Sequence, residues 1–112
     1  MEITTKSNLE VSVVHLKGEL DNESSEYLRK NIEKLIESEK VNIVLDFKEL
    51  SYSNSTGLRE LIALYKLANA SGGNLKLCAL QPQLEDLFSF TNLRKVFDIY
   101  QNEDEAVASF TV

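Results

Sequence analysis

The stretch that decides the fold runs from Val41 to Leu64 and reads VNIVLDFKELSYSNSTGLRELIAL. Its first part, from Val41 to Phe47, has apolar residues at both parities, which is typical of an interior strand covered on both sides. A polar loop is predicted after Phe47. The following residues, SNSTGLRELIAL, combine hydroxyls, an amide and a glycine with an apolar helical repeat. The stretch therefore predicts a buried strand that leads through a loop into a helix.

Ser55 is the main candidate for a functional residue in this stretch. A helix N-terminus has unpaired N–H groups and a partial positive charge, so it stabilises a phosphate bound there. Ser55 at this position predicts a phosphorylation-controlled docking surface. The ordinary structural alternative is that Ser55 only caps the helix, and its neighbours Asn54 and Thr56 could also serve as caps. The third residues after Ser55 and Thr56 are Leu58 and Arg59, so no capping-box glutamate decides between them.

The residues before this stretch predict a hairpin and a helix. The runs Ile3 to Lys6 and Val11 to Lys17 are rich in β-formers and indicate an antiparallel pair of strands. The residues from Gly18 to Asn22 interrupt the strand pattern, and Asp21 or Asn22 is well placed to cap the first helix. Apolar residues with helical spacing predict that this helix extends to about Glu39.

The residues after the stretch predict the remaining elements. The second helix has one apolar side, formed by Leu58, Leu61, Ile62, Tyr65 and Ala68. Gly72 and Gly73 end it, and the alternating run LKLCAL predicts a strand. Pro82 suits the first position of a short helix. Val96 to Tyr100 predict a last strand, and Asn102 with Glu105 predicts the capping pair of a C-terminal helix.

Strands that alternate with helices imply right-handed crossovers and a largely parallel sheet, which the opening hairpin makes mixed. The expected fold class is therefore α/β. Functional groups of such sheets gather outside the carboxyl ends of the strands. Asp21, Asp46 and Ser55 are all predicted to lie at that end.

Composition limits the classes of function. The 112 residues suit one domain, and 12 basic against 18 acidic residues give a net charge of −6. This charge, without a basic cluster, disfavours nucleic acid and anionic membranes. No apolar run approaches the roughly 20 residues of a membrane span, and the N-terminus resembles no secretory signal. The single cysteine, Cys78, is expected to be a buried core thiol and agrees with a reducing compartment, so a cytoplasmic location is predicted.

Three chemical alternatives are open from the residues. A small serine hydrolase would use Ser55 as nucleophile and His15 as base, oriented by Asp21 or Asp46. One cysteine and one histidine cannot build a zinc site, although Asp21 and Asp46 together could hold magnesium. A two-component receiver domain would take a phosphate on Asp46. The hydrolase and the magnesium site each require residues that are distant in sequence to meet in the fold.

Three motifs, in order and spacing, carry a family resemblance: GELDN at Gly18 to Asn22, VLDF at Val44 to Phe47 and NSTGL at Asn54 to Leu58. They resemble the STAS domain of bacterial anti-sigma factor antagonists, and the similarity extends over nearly the whole chain. The resemblance implies a single STAS domain over residues 1–112. It also implies a mixed sheet of four or five strands with about four packed helices and no enzymatic activity. No cofactor and no metal are predicted.

The resemblance also implies a partner-switching function. The unmodified protein would bind an anti-sigma factor that is also a serine kinase, phosphorylation would end the binding, and a serine phosphatase would restore it. The matching acceptor is Ser55, with Thr56 as the second choice. The docking surface would comprise Asp21, Asn22, Asn54, Thr56, Gly57 and Leu58. Asn54 replaces the aspartate usual in the family, which leaves a second hypothesis of a STAS adaptor that binds a regulatory or transport complex without phosphorylation.

Overall fold

The computed structural model describes residues 1–111 and has five strands and four α-helices in that range. The strands are β1 (Glu2–Asn8), β2 (Val11–Leu20), β3 (Asn42–Ser53), β4 (Asn74–Cys78) and β5 (Ile99–Tyr100). The helices are α1 (Asn22–Glu37), α2 (Ser55–Ala70), α3 (Pro82–Phe90) and α4 (Glu103–Ala108), with a short 3₁₀ turn at Leu93–Lys95.

The strands form one sheet in the order β1-β2-β3-β4-β5. β1 pairs antiparallel with β2, and every other neighbouring pair is parallel. A mixed five-stranded sheet with an N-terminal hairpin and four α-helices over residues 1–111 confirms the predicted α/β class.

The helices cover the two faces of the sheet unequally. Val14 and Leu16 of β2 belong to a large core with residues from α1, α2 and α3. Val11 and Val13 point to the opposite face, as alternation along a strand requires, and pack with Ala106 of α4. The site at the start of α2 and the surface under α4 are therefore built on opposite faces of one sheet.

The hairpin between β1 and β2 has a turn of two residues, Leu9 and Glu10. Their φ angles of 50° and 66° are both positive, as a two-residue turn of this hand requires. Asn and Gly favour such a turn, whereas Leu and Glu do not. The β-rich runs on either side, rather than the turn residues, therefore predicted this hairpin.

The predicted ends of β2 and β3 were wrong. β2 continues through Leu20 and β3 through Ser53, because the two strands keep pairing after register shifts, with Lys17 opposite Glu49 and Leu20 opposite Ser53. The expected break at Gly18 and the expected loop after Phe47 are thus strand. A bulge adds a residue to one strand and disturbs the two-residue alternation from which strands are recognised.

Two other predictions required correction. The last strand is Ile99–Tyr100 rather than Val96 to Tyr100. Phe97 is buried instead, with its ring 5.3 Å from that of Tyr65 between centroids, which draws this segment into the core before pairing starts. Leu64 of α2, which the predicted apolar side of this helix did not include, is also buried in the large core.

Cys78 is fully buried, as predicted. Burial, followed by the nearby carboxylates of Asp46 and Glu103, raises the pKa of its thiol to about 12. The thiol is therefore protonated at neutral pH and unreactive. Separately, none of the helices in residues 1–111 is long and apolar enough to cross a membrane.

Candidate functional site

The carboxyl ends of β2 and β3 bring the starts of α1 and α2 together. The Asn54 backbone N–H donates to the Leu20 carbonyl at 3.0 Å. The Asn54 side-chain amide donates to the Asn22 side-chain oxygen at 3.1 Å. The two strand-to-helix junctions are thus joined by one residue, and the predicted docking residues Asn22 and Asn54 are in direct contact.

The first helix begins with a capping box. The Ser24 N–H donates to Asp21 Oδ1 at 2.9 Å, and the Asp21 N–H donates to Ser24 Oγ at 2.8 Å. The bond from the Ser24 backbone, and then that from its hydroxyl, hold the pKa of Asp21 below its ordinary value. Asp21 therefore remains a charged cap at neutral pH, and its contribution to stability is lost only as the pH falls through this lowered pKa.

Asn54, and not Ser55, is the N-cap of α2. The Gly57 N–H donates to Asn54 Oδ1 at 2.9 Å, which corrects the alternative that Ser55 is a plain cap. Ser55 is the first residue of the helix and is exposed. Its hydroxyl has no hydrogen-bond partner among residues 1–111, so it is available to an approaching protein.

The start of α2 also offers unpaired donors. The N–H groups of Asn54, Gly57 and Leu58 have partners in Leu20 and Asn54, whereas those of Ser55 and Thr56 have none among the described residues. Free N–H groups at a helix N-terminus favour a negative charge nearby. The first turn of α2 contains no acidic side chain that would oppose such a charge.

The predicted docking residues differ in exposure. Asn22 and Ser55 are exposed, and Asp21, Asn54 and Thr56 are half-buried. Gly57 and Leu58 are buried, so they can support the surface from beneath but offer little area to a partner. Tyr52, half exposed at 50%, stands beside Asn54 on the extended end of β3. Sequence reasoning missed Tyr52 because it placed this residue in a loop.

Gly57 allows α2 to approach the strand ends closely. A Cβ built on Gly57 would lie 2.5 Å from Ser53 Oγ and 2.8 Å from Leu20 Cγ, which is closer than real contacts allow. Only glycine fits without a shift of the helix or of these side chains. The glycine of the NSTGL motif therefore fixes the position of Ser55 relative to β2 and β3.

We expect Gly57→Ala to lower the free energy of unfolding by about 1–2 kcal/mol, since overpacking costs more than the gain in helix propensity. Urea denaturation of both proteins measures the change. The double variant Gly57→Ala/Ser53→Ala should recover part of the loss, because it removes the nearer of the two obstacles. A single variant as stable as the unmodified protein would contradict this account of Gly57.

His15 and Asp46 lie away from Ser55. They are paired in register on β2 and β3, whereas Leu20, next to the α2 site, is five residues further along β2, roughly 16 Å away. His15 points to the face under α4, with its Nε2 3.2 Å from Glu103 Oε1. The structure thus contradicts the Ser55–His15 hydrolase and the Asp21–Asp46 magnesium pair. It also contradicts the receiver domain, since Asp46 lies within β3 and not at its end.

Comparison with known proteins agrees with this architecture. The family model of the STAS domain matches residues 2–106. The anti-sigma F factor antagonist of Paenibacillus polymyxa is 32% identical over 113 residues, covering 100% of this chain and 97% of that protein. The anti-sigma-B factor antagonist of Bacillus subtilis (strain 168) is 31% identical over 107 residues, covering 96% of this chain and 97% of that protein.

One solved structure is informative for the fold. The Bacillus cell fate determinant SpoIIAA, in its phosphorylated form, superposes with a TM-score of 0.75 at 24% identity, covering 97% of this chain and 99% of that chain. The family resemblance seen in the three motifs is confirmed. The chain belongs to the STAS domain family, among relatives that are named anti-sigma factor antagonists.

Proposed function

We propose that this protein is an anti-sigma factor antagonist that acts by partner switching. Its unmodified form binds an anti-sigma factor and so releases a sigma factor, and phosphorylation of Ser55 by that same partner, a serine kinase, ends the binding. A serine phosphatase restores the active form. The protein works by binding and not by catalysis. The kinase requires ATP, so the proposal places the switch in the cytoplasm.

The observation that carries this proposal is the geometry of Ser55. The hydroxyl is exposed at the first position of α2, while Asn54 does the capping. Transfer of a phosphate to Ser55 would therefore break no internal hydrogen bond. The neighbouring Ser55 and Thr56 N–H groups would stabilise the added charge of about −1.5 to −2. The STAS fold accommodates such a group, since SpoIIAA has been solved in a phosphorylated form.

The negative charge of a phosphate on Ser55 also opposes docking to the partner. A partner surface that fits a neutral hydroxyl would have to remove water from the phosphate, which costs several kcal/mol unless cations face it. Free protein has no such cost, because Ser55 is exposed to solvent. Arg59, one helical turn after Ser55, also lies on the same side of α2 and is exposed. Phosphorylation would thus be tolerated in the free protein, whereas it would destabilise the complex with the partner.

The presence of Asn54, where the family usually has an aspartate, has a structural explanation. Its side chain accepts from the Gly57 N–H and donates to Asn22 Oδ1. An aspartate could make the first bond but not the second, because an ionised carboxylate has no donor. The amide also avoids a second negative charge beside a phosphorylated Ser55. The departure equally favours the adaptor hypothesis, in which Ser55 is never modified.

Affinity capture from native lysate, followed by the intact mass of the tagged protein, separates these hypotheses. Partner switching predicts capture of an anti-sigma factor with the unmodified protein, and a gain of about 80 Da after incubation with that partner and ATP. The gain should be absent in Ser55→Ala. A captured complex whose tagged protein never gains this mass would support the adaptor and contradict the switch.

A further inference from the structure

A second cluster of chemically active side chains lies on the opposite face of the sheet, under α4. His15 of β2 and Asp46 of β3 are partners in the parallel ladder, and Glu103 at the start of α4 closes over them. His15 Nδ1 lies 3.3 Å from Asp46 Oδ2, and His15 Nε2 lies 3.2 Å from Glu103 Oε1. Two carboxylates from different elements therefore converge on the only imidazole of the chain.

The cluster is partly removed from water but remains accessible. The exposed fraction of the side chain is 8% for Asp46, 18% for Glu103 and 35% for His15. These residues line an open cleft of about 680 Å³. A cation of the size of a hydrated metal ion can therefore reach the carboxylates, while Asp46 is held on the buried side.

The charges around the cluster favour a cation. Glu49 and Asp104 also line the cleft, where Lys48 is the only lysine or arginine among the described lining residues. Lys6 reaches Glu103 from the side, with Nζ 2.9 Å from Oε2, but its own side chain is 54% exposed and can swing into solvent. The cleft thus holds more negative than positive charge, and its nearest ammonium is displaceable.

We propose that His15, Asp46 and Glu103 form a binding site for a divalent transition-metal ion of the zinc type. One donor atom from each of the three side chains lies within 4.8 Å of the other two. Metal bonds of about 2.0–2.1 Å bring tetrahedral ligands to roughly 3.4 Å from one another, so donors at the 4.8 Å limit must approach by about 1.4 Å. A rotation of the Glu103 side chain, on the solvent side of the cluster, supplies this movement.

The ligand types select the class of metal. Imidazole with carboxylates suits zinc and its neighbours, whereas magnesium and calcium prefer oxygen ligands alone. Three protein ligands leave a fourth position for water, which distinguishes this site from the four-ligand Cys and His sites that the composition excludes. The ion would take one nitrogen of neutral His15, and the carboxylates of Asp46 and Glu103 would supply its other two protein ligands.

Binding would also tie α4 to the sheet. α4 has six residues and packs on the sheet through Ala106 and Val107 in a small core. A metal bridging Glu103 to β2 and β3 would fasten its first turn, at the same time releasing Lys6. The site lies on the other face of the sheet from Ser55, so its occupation can be tested independently of the phosphorylation proposal.

The experiment is a titration of the full chain with zinc chloride, followed by calorimetry and by NMR of the imidazole. The single histidine makes the NMR signal unambiguous. We expect one zinc per chain and a shift of the His15 resonances. His15→Gln and Glu103→Gln should each weaken zinc binding by at least roughly tenfold. Glu105→Gln, the same substitution two residues along the same helix, is the control and should bind like the unmodified protein.

The outcomes are decisive even where a variant folds poorly, because the His15 signal is read in the unmodified protein. Absence of an imidazole shift at about 1 mM zinc, far above the affinity of a specific site, would overturn the proposal. Equal affinity in the unmodified protein, His15→Gln and Glu103→Gln would also overturn it. An equal imidazole response to magnesium would overturn the assignment to a transition metal.

Discussion

Ser55→Asp is expected to weaken binding to the anti-sigma factor about 100-fold or more, with almost no loss of folding stability. The carboxylate would have to be desolvated in the interface, and a cost near 2.7 kcal/mol corresponds to this factor. In the free protein the same charge lies at the positive end of α2, where it is neutral or slightly stabilising. Calorimetry with the purified partner and urea denaturation measure the two effects separately.

Two control variants isolate charge from shape at this position. Ser55→Asn has nearly the size of Ser55→Asp without its charge, so it should bind within a few-fold of the unmodified protein. Ser55→Ala should bind at full strength and should stay bound when ATP is added, because it cannot accept phosphate. Equal binding by the unmodified protein and Ser55→Asp would contradict the proposed switch, as would release of Ser55→Ala by ATP.

Gly73→Ala is expected to cause the largest loss of stability of any substitution considered, at least about 3 kcal/mol. Its Cβ would lie 2.0 Å from the Val41 carbonyl oxygen and 2.4 Å from the carbonyl carbon, which are backbone atoms that no rotamer change can move. The Val41 carbonyl also accepts from the Asn74 N–H at 3.0 Å, where β4 begins beside β3. The substitution would push the chain at Gly73 away from Val41, at the point where β3 and β4 start to pair.

Gly72→Ala is the matched control. Gly72 has a φ of +91°, but nothing lies within 4 Å of a Cβ built there, so the substitution pays only backbone strain of about 1–2 kcal/mol. Thermal and urea denaturation should show that Gly73→Ala is much less stable than Gly72→Ala. The reverse order would show that conformational strain, and not the contact with Val41, dominates at the end of α2.

The order of elements could be predicted from the sequence because each carries a local signal. The alternation in β4, the β-branched run at the start of β3 and Pro82 at the start of α3 depend only on neighbouring residues. The ends of β2 and β3 could not be predicted, because the pairing of Leu20 with Ser53 across a register shift joins residues far apart in the chain. Phe97 was misassigned for a similar reason, since its contact with Tyr65 is tertiary.

The candidate sites likewise combine features that have a local sequence signal with features that depend on tertiary contacts. Ser55 could be found from the pattern at the start of a helix, but the choice between Asn54 and Ser55 as the cap required geometry, since both residue types cap helices well. For the cluster of His15, Asp46 and Glu103, the sequence suggested that His15 could meet Asp46 but did not indicate Glu103. Its members come from three separate elements, and only the strand register and the position of α4 bring them together.

The cap at Asn54 has a consequence for how often the proposed switch can be used. Because Asn54 ties α2 to Leu20 and Asn22 through bonds that do not involve the Ser55 hydroxyl, adding or removing a phosphate leaves this scaffold intact. The modified and unmodified proteins should then share one backbone and melt at nearly the same temperature. Repeated cycles of phosphorylation and dephosphorylation would then pass through no unfolded intermediate. The two forms of the protein would differ only at the surface of a rigid domain.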